Sequence, residues 1–204
     1  VSANRQIGKR FYRLSLAFKG AGAKAFEGFS PGQFAEVDLS EAALPVMEKI
    51  PQDLRDASKR EIILRRPFSF CDVTIQKNKT IAEILYCVVG PASLRMTTLS
   101  AGDSVSVIGP LGNGFSMPKG KKTVLLLAGG MGAPPLLHLA KVIRQDYPKI
   151  ECLAFAGAKT KEELPFRLRL DKASKKSGLI LEEFLKYKIK SFISTDDGSA
   201  GYTG

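Results

Sequence analysis

Tryptophan is absent from this chain, histidine occurs once and cysteine three times. No apolar run approaches the roughly 18 residues that a membrane-spanning helix needs. The longest, Thr123 to Ala128, reads instead as a buried strand. With a single histidine, no Ser-His-Asp or Cys-His set for nucleophilic catalysis can be assembled. Cys71, Cys87 and Cys152 stand too far apart for a closely spaced thiolate cluster, so no metal site is expected within these residues. They read as small buried apolar residues in a reducing compartment, and with no signal-like start the cytoplasm is the expected location.

What is present is ordinary in bulk: 44% hydrophobic and 25% charged residues, as in a globular protein. A length of 204 residues permits two domains, each large enough for its own core. Lys and Arg exceed Asp and Glu by 31 to 20, a formal net charge of +11, which suits anionic cofactors or an acidic partner. The basic runs Lys119 to Lys122, Lys172 to Lys176 and Lys186 to Lys190 lie away from the motifs below and read as solvated faces. A barrel that grips nucleic acid would need aromatics interleaved with Lys and Arg on one face, which a chain without Trp does not offer.

The first half has the texture of a small barrel: short strands at Phe11 to Lys19, Gly32 to Leu39, Leu64 to Gln76, Thr80 to Val89 and Asp103 to Ile108. A short helix is expected at about Leu94 to Leu99, and residues 40–62 form an insertion, partly helical, to which the sequence assigns no role. The texture changes at Pro118 to Lys122, so the expected domains are 1–118 and 119–204. Thr123 to Ala128, a glycine turn, a helix from Pro135 to Tyr147 and a strand at Glu151 to Ala156 make a βαβ unit of a doubly wound sheet. The helix should bury Leu136, Leu139, Ala140 and Ile143, while His138 shares a face with Lys141 and Gln145 and should be exposed. A helical pass and a third strand, Lys190 to Thr195, then bring Asp196 and Asp197 to the carboxyl edge of the sheet, where ligands bind. The spacing of Asp196-Asp197-Gly198-Ser199 lacks the alternating ligands of a calcium loop.

Two segments in fixed order carry the chemistry. Arg66-Pro67-Phe68-Ser69 puts a permanent cation and a hydroxyl on a Pro-stiffened turn, and Ala128-Gly129-Gly130-Met131-Gly132-Ala133-Pro134-Pro135-Leu136 bares backbone amides at a helix start. Between them lies Gly109-Pro110-Leu111-Gly112-Asn113-Gly114-Phe115. Each segment is suited to hold phosphate.

This order resembles the ferredoxin reductase superfamily, in which an antiparallel FAD-binding β-barrel precedes a Rossmann-like, parallel-sheet α/β domain for NAD(P). Within it the chain is similar to the electron-transfer subunits of the two-subunit, NAD-linked dihydroorotate dehydrogenases. Pro31-Gly32-Gln33-Phe34, Leu64 to Ser69, the two glycine segments and Thr195 to Tyr202 carry the likeness over nearly the whole chain. The resemblance implies that Arg66 pairs with the FAD diphosphate, that Phe68 behind Pro67 packs by the flavin, and that Ser69 lies near flavin N5 as the catalytic contact. It adds Leu85, Tyr86, Cys87, Ala92 and Ser93 to the FAD set, with Cys87 where relatives carry Arg and Ala92-Ser93 where they carry Gly-Thr; Arg95 is a candidate to restore that charge. For NAD(P) it implies Gly112, Gly129, Gly130, Gly132, Pro135, Asp196 and Asp197. Gly157-Ala158-Lys159 lacks the acidic residue that commonly reads a ribose hydroxyl, and Lys159 and Lys161 suit a 2′-phosphate, so NAD and NADP both stay open.

The implied activity is that of a flavoprotein oxidoreductase moving electrons between NAD(H) and FAD and on to a [2Fe-2S] centre, in dihydroorotate oxidation and pyrimidine biosynthesis. The alternative within the superfamily is a ferredoxin:NADP reductase or an electron-bifurcating subunit. The implied partner is a catalytic dihydroorotate dehydrogenase subunit or an electron-carrier protein, with neither nucleic acid nor membrane. The chain begins without Met and stops inside a glycine-containing motif, so it is expected to be partial, with the cluster beyond Gly204.

Overall fold

The computed structural model describes residues 1–170 and 178–203, and the basic run Lys172 to Lys176 lies outside them. It divides into two compact units, Val1–Asn113 and Gly114–Gly204, a few residues before the expected boundary at 118.

The first unit is a six-stranded antiparallel sheet. Its strands are β1 (Ala3–Gln6), β2 (Phe11–Lys19), β3 (Phe34–Val37), β4 (Arg66–Gln76), β5 (Lys79–Cys87) and β6 (Val107–Leu111), in the spatial order β1-β2-β5-β4-β3-β6. Short helices α1 (Gly20–Lys24), α2 (Arg55–Ser58) and α3 (Pro91–Met96) join them. The two outer edges curl toward one another. Val1 donates from its amino group to the Asp103 carbonyl at 2.6 Å, and the Asn4 amide on β1 donates to the carbonyls of Met96 and Leu99 at 2.9 Å each. Leu14, Phe26, Phe70, Ile84, Leu94 and Met96 fill the interior. The two-residue period of β2 sends Leu14 and Leu16 inward, while Arg13 and Ser15 meet Glu83 across the outer face at 3.3 and 2.9 Å. The insertion is partly helical as expected and packs Ile50, Leu54 and Ile62 into the same core.

The second unit holds a parallel sheet of β7 (Thr123–Gly129), β8 (Glu151–Ala158), β11 (Lys190–Thr195) and β12 (Tyr202–Thr203), ordered β12-β11-β8-β7. Helix α4 (Ala133–Asp146) crosses from β7 to β8. Three expectations need correction here. The pass between β8 and β11 is a short antiparallel hairpin, β9 (Leu168–Leu170) with β10 (Leu179–Leu181), followed by the one-turn helix α5 (Glu182–Leu185). Leu168-Arg169-Leu170 alternates apolar and charged residues at strand period, which the helical expectation overlooked. Secondly, His138 is only 6% exposed. Helix α4 packs against α5 as well as the sheet, so more than one of its faces is covered and a single-stripe reading fails. Thirdly, β7 is not buried on both faces: Leu126 lies beneath α4, but Leu125 and Leu127 are 56% and 68% exposed, and beside them Phe155 stacks on Phe192 at 4.9 Å.

Candidate functional site

Strand β4 starts with two adjacent arginines in opposite circumstances. Arg65 is spent on the protein: its guanidinium donates to the Ser106 carbonyl at 3.0 Å and hydroxyl at 2.9 Å, and lies 3.5 Å from the Asp38 carboxylate. Arg66, half-buried at the start of the strand, makes no side-chain hydrogen bond or ion pair with any described residue. A partly desolvated guanidinium with five unused donors is a ready seat for an anion, and phosphate matches its fork. Ser69 is likewise half-buried, with a hydroxyl unengaged among the described residues. It pairs in register with Phe34, which pairs with Leu111 on β6.

The other residues expected at this site divide by strand parity. Phe68 and Tyr86 face the interior, with ring centroids 6.3 Å apart, and Tyr12 stacks on Tyr86 at 5.6 Å. Burial pushes the Tyr86 hydroxyl upward in pKa, and that hydroxyl lies 3.3 Å from the Asn4 side-chain oxygen. Leu85 and Cys87 point to the opposite side of β5, so the Leu85-Tyr86-Cys87 triplet does not present one surface. Pro67 is exposed and stands in register opposite Glu36 on β3.

At the 90–93 turn the Ser93 hydroxyl accepts from the backbone N–H of Val89 and Gly90 at 3.0 and 3.1 Å and donates to the Gly90 carbonyl at 3.1 Å. Its capacity is used in capping α3, so the hydroxyl contact expected of Ser93 is not available in this arrangement. The backbone amides of Ala92 and Ser93 lie in the first turn of the short helix α3, where N–H groups lack an intrahelical partner. Arg95 does not restore charge there: it donates to the Ala42 carbonyl at 3.0 Å, and its Nε is buried without a partner among the described residues.

Gly112 belongs to the first unit. Its carbonyl accepts from the Gln33 amide at 2.9 Å, and a side chain at its φ of 75° would meet the Phe34 ring at 2.8 Å. In the second unit β7 ends at Gly129, a 3-10 turn covers Gly130–Gly132, and α4 follows with Pro134 and Pro135 in its first turn, where proline fits. A Cβ added at Gly129, Gly130 or Gly132 meets no described atom within 4 Å. That open cradle fits a pyrophosphate drawn close to the backbone at a helix start.

Asp196 and Asp197 reach the same carboxyl edge, their N–H groups donating to the carbonyls of Ala158 at 3.1 Å and Lys159 at 3.2 Å. Asp197 accepts from the Ser199 hydroxyl at 2.6 Å and N–H at 3.0 Å, bonds that hold its carboxyl below the usual range. Ser199 accepts from the Lys161 N–H at 2.9 Å. Asp197 therefore knits two loops together, leaving Asp196 exposed at the edge. Sequence reasoning missed Tyr12, Asn4 and the Arg10–Asp53 ion pair. The alternation of β2 signalled Tyr12; nothing local signalled the other two.

Among the described residues no group of three His, Cys, Asp or Glu could hold a metal ion, and no helix is long and apolar enough to cross a membrane. The donors for an iron-sulfur centre are not assembled in these residues.

No family model matches the chain. Curated relatives do. It is 32% identical over 207 aligned positions to the dihydroorotate dehydrogenase B (NAD(+)) electron transfer subunit of Geobacillus thermodenitrificans, covering 100% of this chain and 65% of that protein. It is 34% identical to the Streptococcus pneumoniae protein of the same name, covering 100% of this chain and 64% of the relative. Among solved structures it superposes on the NADH-dependent reduced ferredoxin-NADP oxidoreductase of flavin-based electron bifurcation with a TM-score of 0.68 at 21% identity, over 100% of this chain and 58% of that one. A ferredoxin NADP+ reductase from Neisseria gonorrhoeae with bound FAD and NADP gives 0.56 at 16% identity, over 96% of this chain and 67% of that one. The chain thus spans just under two thirds of the length of those curated relatives. Over its whole length the chain is thus similar to electron transfer subunits of dihydroorotate dehydrogenase B, and its fold is that of ferredoxin reductase-like structures.

Proposed function

We propose that this chain binds FAD on its first unit and a nicotinamide nucleotide on its second, and moves electrons between that nucleotide and an iron-sulfur centre or partner subunit. The reaction served is dihydroorotate oxidation in pyrimidine biosynthesis, in the cytoplasm, with a catalytic dihydroorotate dehydrogenase subunit as partner. The observation that carries this reading is the division of labour between Arg65, bound to Ser106 and Asp38, and Arg66, which nothing in the described protein neutralises. A half-buried charge is costly unless compensated, and an FAD diphosphate compensates it.

FAD, when bound, supplies the conversion between hydride and single-electron transfer. The residues do the rest. Arg66 holds negative charge in place, and the amides of Ala92 and Ser93 add donors at the start of α3. The Ser69 hydroxyl can both donate and accept, so it would serve a flavin nitrogen in either protonation state. The Gly129–Gly132 turn admits pyrophosphate because no side chain intrudes. With no iron-sulfur donor set in the described residues, the [2Fe-2S] centre of this reading lies in the length of the relatives that the chain does not span.

The test is a visible spectrum of the purified protein, then acid release and chromatography of its chromophore. A yellow protein that releases FAD and bleaches anaerobically with NADH supports the proposal. A protein that neither retains nor takes up FAD overturns it.

A further inference from the structure

The basic runs at 119–122 and 186–190 are far apart in sequence, where each reads as a solvated face, but the fold brings them to one place. Lys121 and Lys122 lead into β7, Lys149 leads into β8, and Lys186, Lys188 and Lys190 stand at the head of β11. Strands β7 and β11 both pair with β8 in parallel, so these lysines share the amino edge of the sheet. The Glu151 N–H donates to the Lys122 carbonyl at 2.9 Å across that edge. Each of these lysines is exposed, and none forms an ion pair with a described residue. We propose that this edge, with the bare sheet face rising from it, docks an acidic partner protein.

Charge is the first argument. Adjacent strands lie about 4.8 Å apart, so three strand ends span only about 10 Å, close to the Debye length of about 8 Å at physiological ionic strength. Positive charges at that spacing reinforce one another, and they outnumber Glu151 and Asp146, the carboxylates nearest the start of β8 in sequence. Crowded like charges that the protein leaves unpaired are unfavourable within the fold and favourable toward a surface of opposite sign.

The adjoining face is the second. Register across β7, β8 and β11 sets Leu125, Leu153 and Lys190 in one row and Leu127, Phe155 and Phe192 in the next. Strand alternation turns these rows away from Leu126 and α4. The Lys190 Nζ lies 5.0 Å from the Phe192 ring centroid, so the charged edge and the apolar face form one surface. Parallel sheets are ordinarily covered on both faces, yet Leu125 and Leu127 are left open. An aliphatic ledge suits protein side chains; bases need free ring faces, whereas here Phe155 stacks on Phe192. The cations are all lysine, without the arginine fork that favours phosphate. A second copy carries the same net charge of +11, which opposes self-association. The fitting partner presents an amphipathic helix, with apolar side chains toward the rows and carboxylates toward the lysines. The glycine turn lies at the far end of β7, about 20 Å away, so docking at the lysines leaves it accessible.

The test titrates the 204-residue chain with a fluorescent helical peptide of about five turns, built from Glu and Leu with the leucines on one face, and with the same peptide carrying Lys for Glu. The Glu peptide should bind at least about tenfold more tightly than the Lys peptide. Combined Lys122→Glu, Lys149→Glu and Lys186→Glu should weaken the Glu peptide by at least about tenfold. Combined Lys24→Glu, Lys59→Glu and Lys77→Glu, the same change in net charge at exposed positions of the first unit, should leave its affinity within about twofold. Leu127→Ser, at a side chain 68% exposed, should weaken the Glu peptide with folding intact by circular dichroism. Equal affinity for the two peptides, equal losses in the two triple variants, or unchanged binding in Leu127→Ser would overturn the proposal. So would tighter binding to a single-stranded DNA oligonucleotide or to phosphatidylserine vesicles, or dimers in sedimentation that Leu127→Ser abolishes. Loss of peptide binding in a form carrying the further length of the curated relatives would show that the chain covers this face itself, and would overturn it too.

Discussion

Two glycines, one in each unit, hold left-handed backbone for different reasons. Gly112 has a φ of 75° and lies so close to the Phe34 ring that a Cβ would come within 2.8 Å, so the protein's own packing demands glycine. Gly130 has a φ of 45° and nothing within 4 Å of a Cβ. Its turn requires glycine for conformation, and the space beside it is kept free of side chains. In the barrel unit Gly112 is spent on the protein's own packing, as the Ser93 hydroxyl and Arg65 are spent on its hydrogen bonds, whereas the glycine turn of the sheet unit, like Arg66 in the barrel, is left open.

The sharpest way to break that contrast is Gly130→Val. It should weaken NADH binding by about a hundredfold, roughly 2.7 kcal/mol, while thermal stability falls by only about 1–2 kcal/mol from the left-handed conformation. Calorimetric titration and a melting curve measure the two. Intact affinity beside a large stability loss would mean that the open turn is packing after all.

Gly112→Ala should do the reverse. Crowding against Phe34 adds to the backbone strain, for a cost of about 1–3 kcal/mol in denaturant unfolding, with nucleotide affinity unchanged. A variant as stable as the parent would remove the structural demand inferred for the barrel glycine.

A smaller effect separates the cysteines. Burial pushes the Cys71 thiol up to about 12 and the Cys152 thiol up to about 11, whereas Cys87 is half-buried on the outer side of β5. Since the thiolate is the reactive form, a disulfide reagent at pH 8 should modify Cys87 at least about tenfold faster than Cys71. Mass spectrometry of the labelled peptides would show it, and simultaneous labelling of both would contradict the packing of β4.

The smallest concerns the 196–199 turn. Ser199 lowers the Asp197 pKa, so its contribution to stability is complete above the ordinary carboxylate range and lost as the pH falls through the lowered value. Asp197 is exposed, so the effect should be local: amide signals of Ser199 and Lys161 shift in an acid titration followed by NMR, while those of the barrel core do not. Barrel signals moving together with them would show that the turn is not a separate element.

Much of this architecture was legible because its signals are local. The period of β2, the continuous apolar run of β7 and the glycine turn before α4 each identify an element without knowledge of its neighbours. What was not legible depends on neighbours distant in sequence. His138 is buried where α5 adds a second contact to α4, and the exposure of Leu125 and Leu127 depends on which face of the sheet the helix covers. At the candidate site the motif singled out Arg66 and Ser69 as candidates, but only coordinates show that the Ser93 hydroxyl is consumed by its own turn and that Arg95 serves the insertion. Residue type alone does not reveal which donors are already occupied.

The central claim, that Arg66 and not Arg65 holds the cofactor, is tested most directly by counting FAD. Arg65→Ala and Arg66→Ala are purified side by side and their acid-released flavin is quantified per chain, with dissociation constants from titration of the stripped proteins. Arg65→Ala should keep the FAD of the unaltered protein and lose at most about 1 kcal/mol of stability, because its ion pair with Asp38 is partly solvated. Arg66→Ala should lose one charge-assisted contact, about 1.5–3 kcal/mol or one to two decades of FAD affinity, with unchanged folding. Equal flavin content and equal dissociation constants in the two variants would contradict the account.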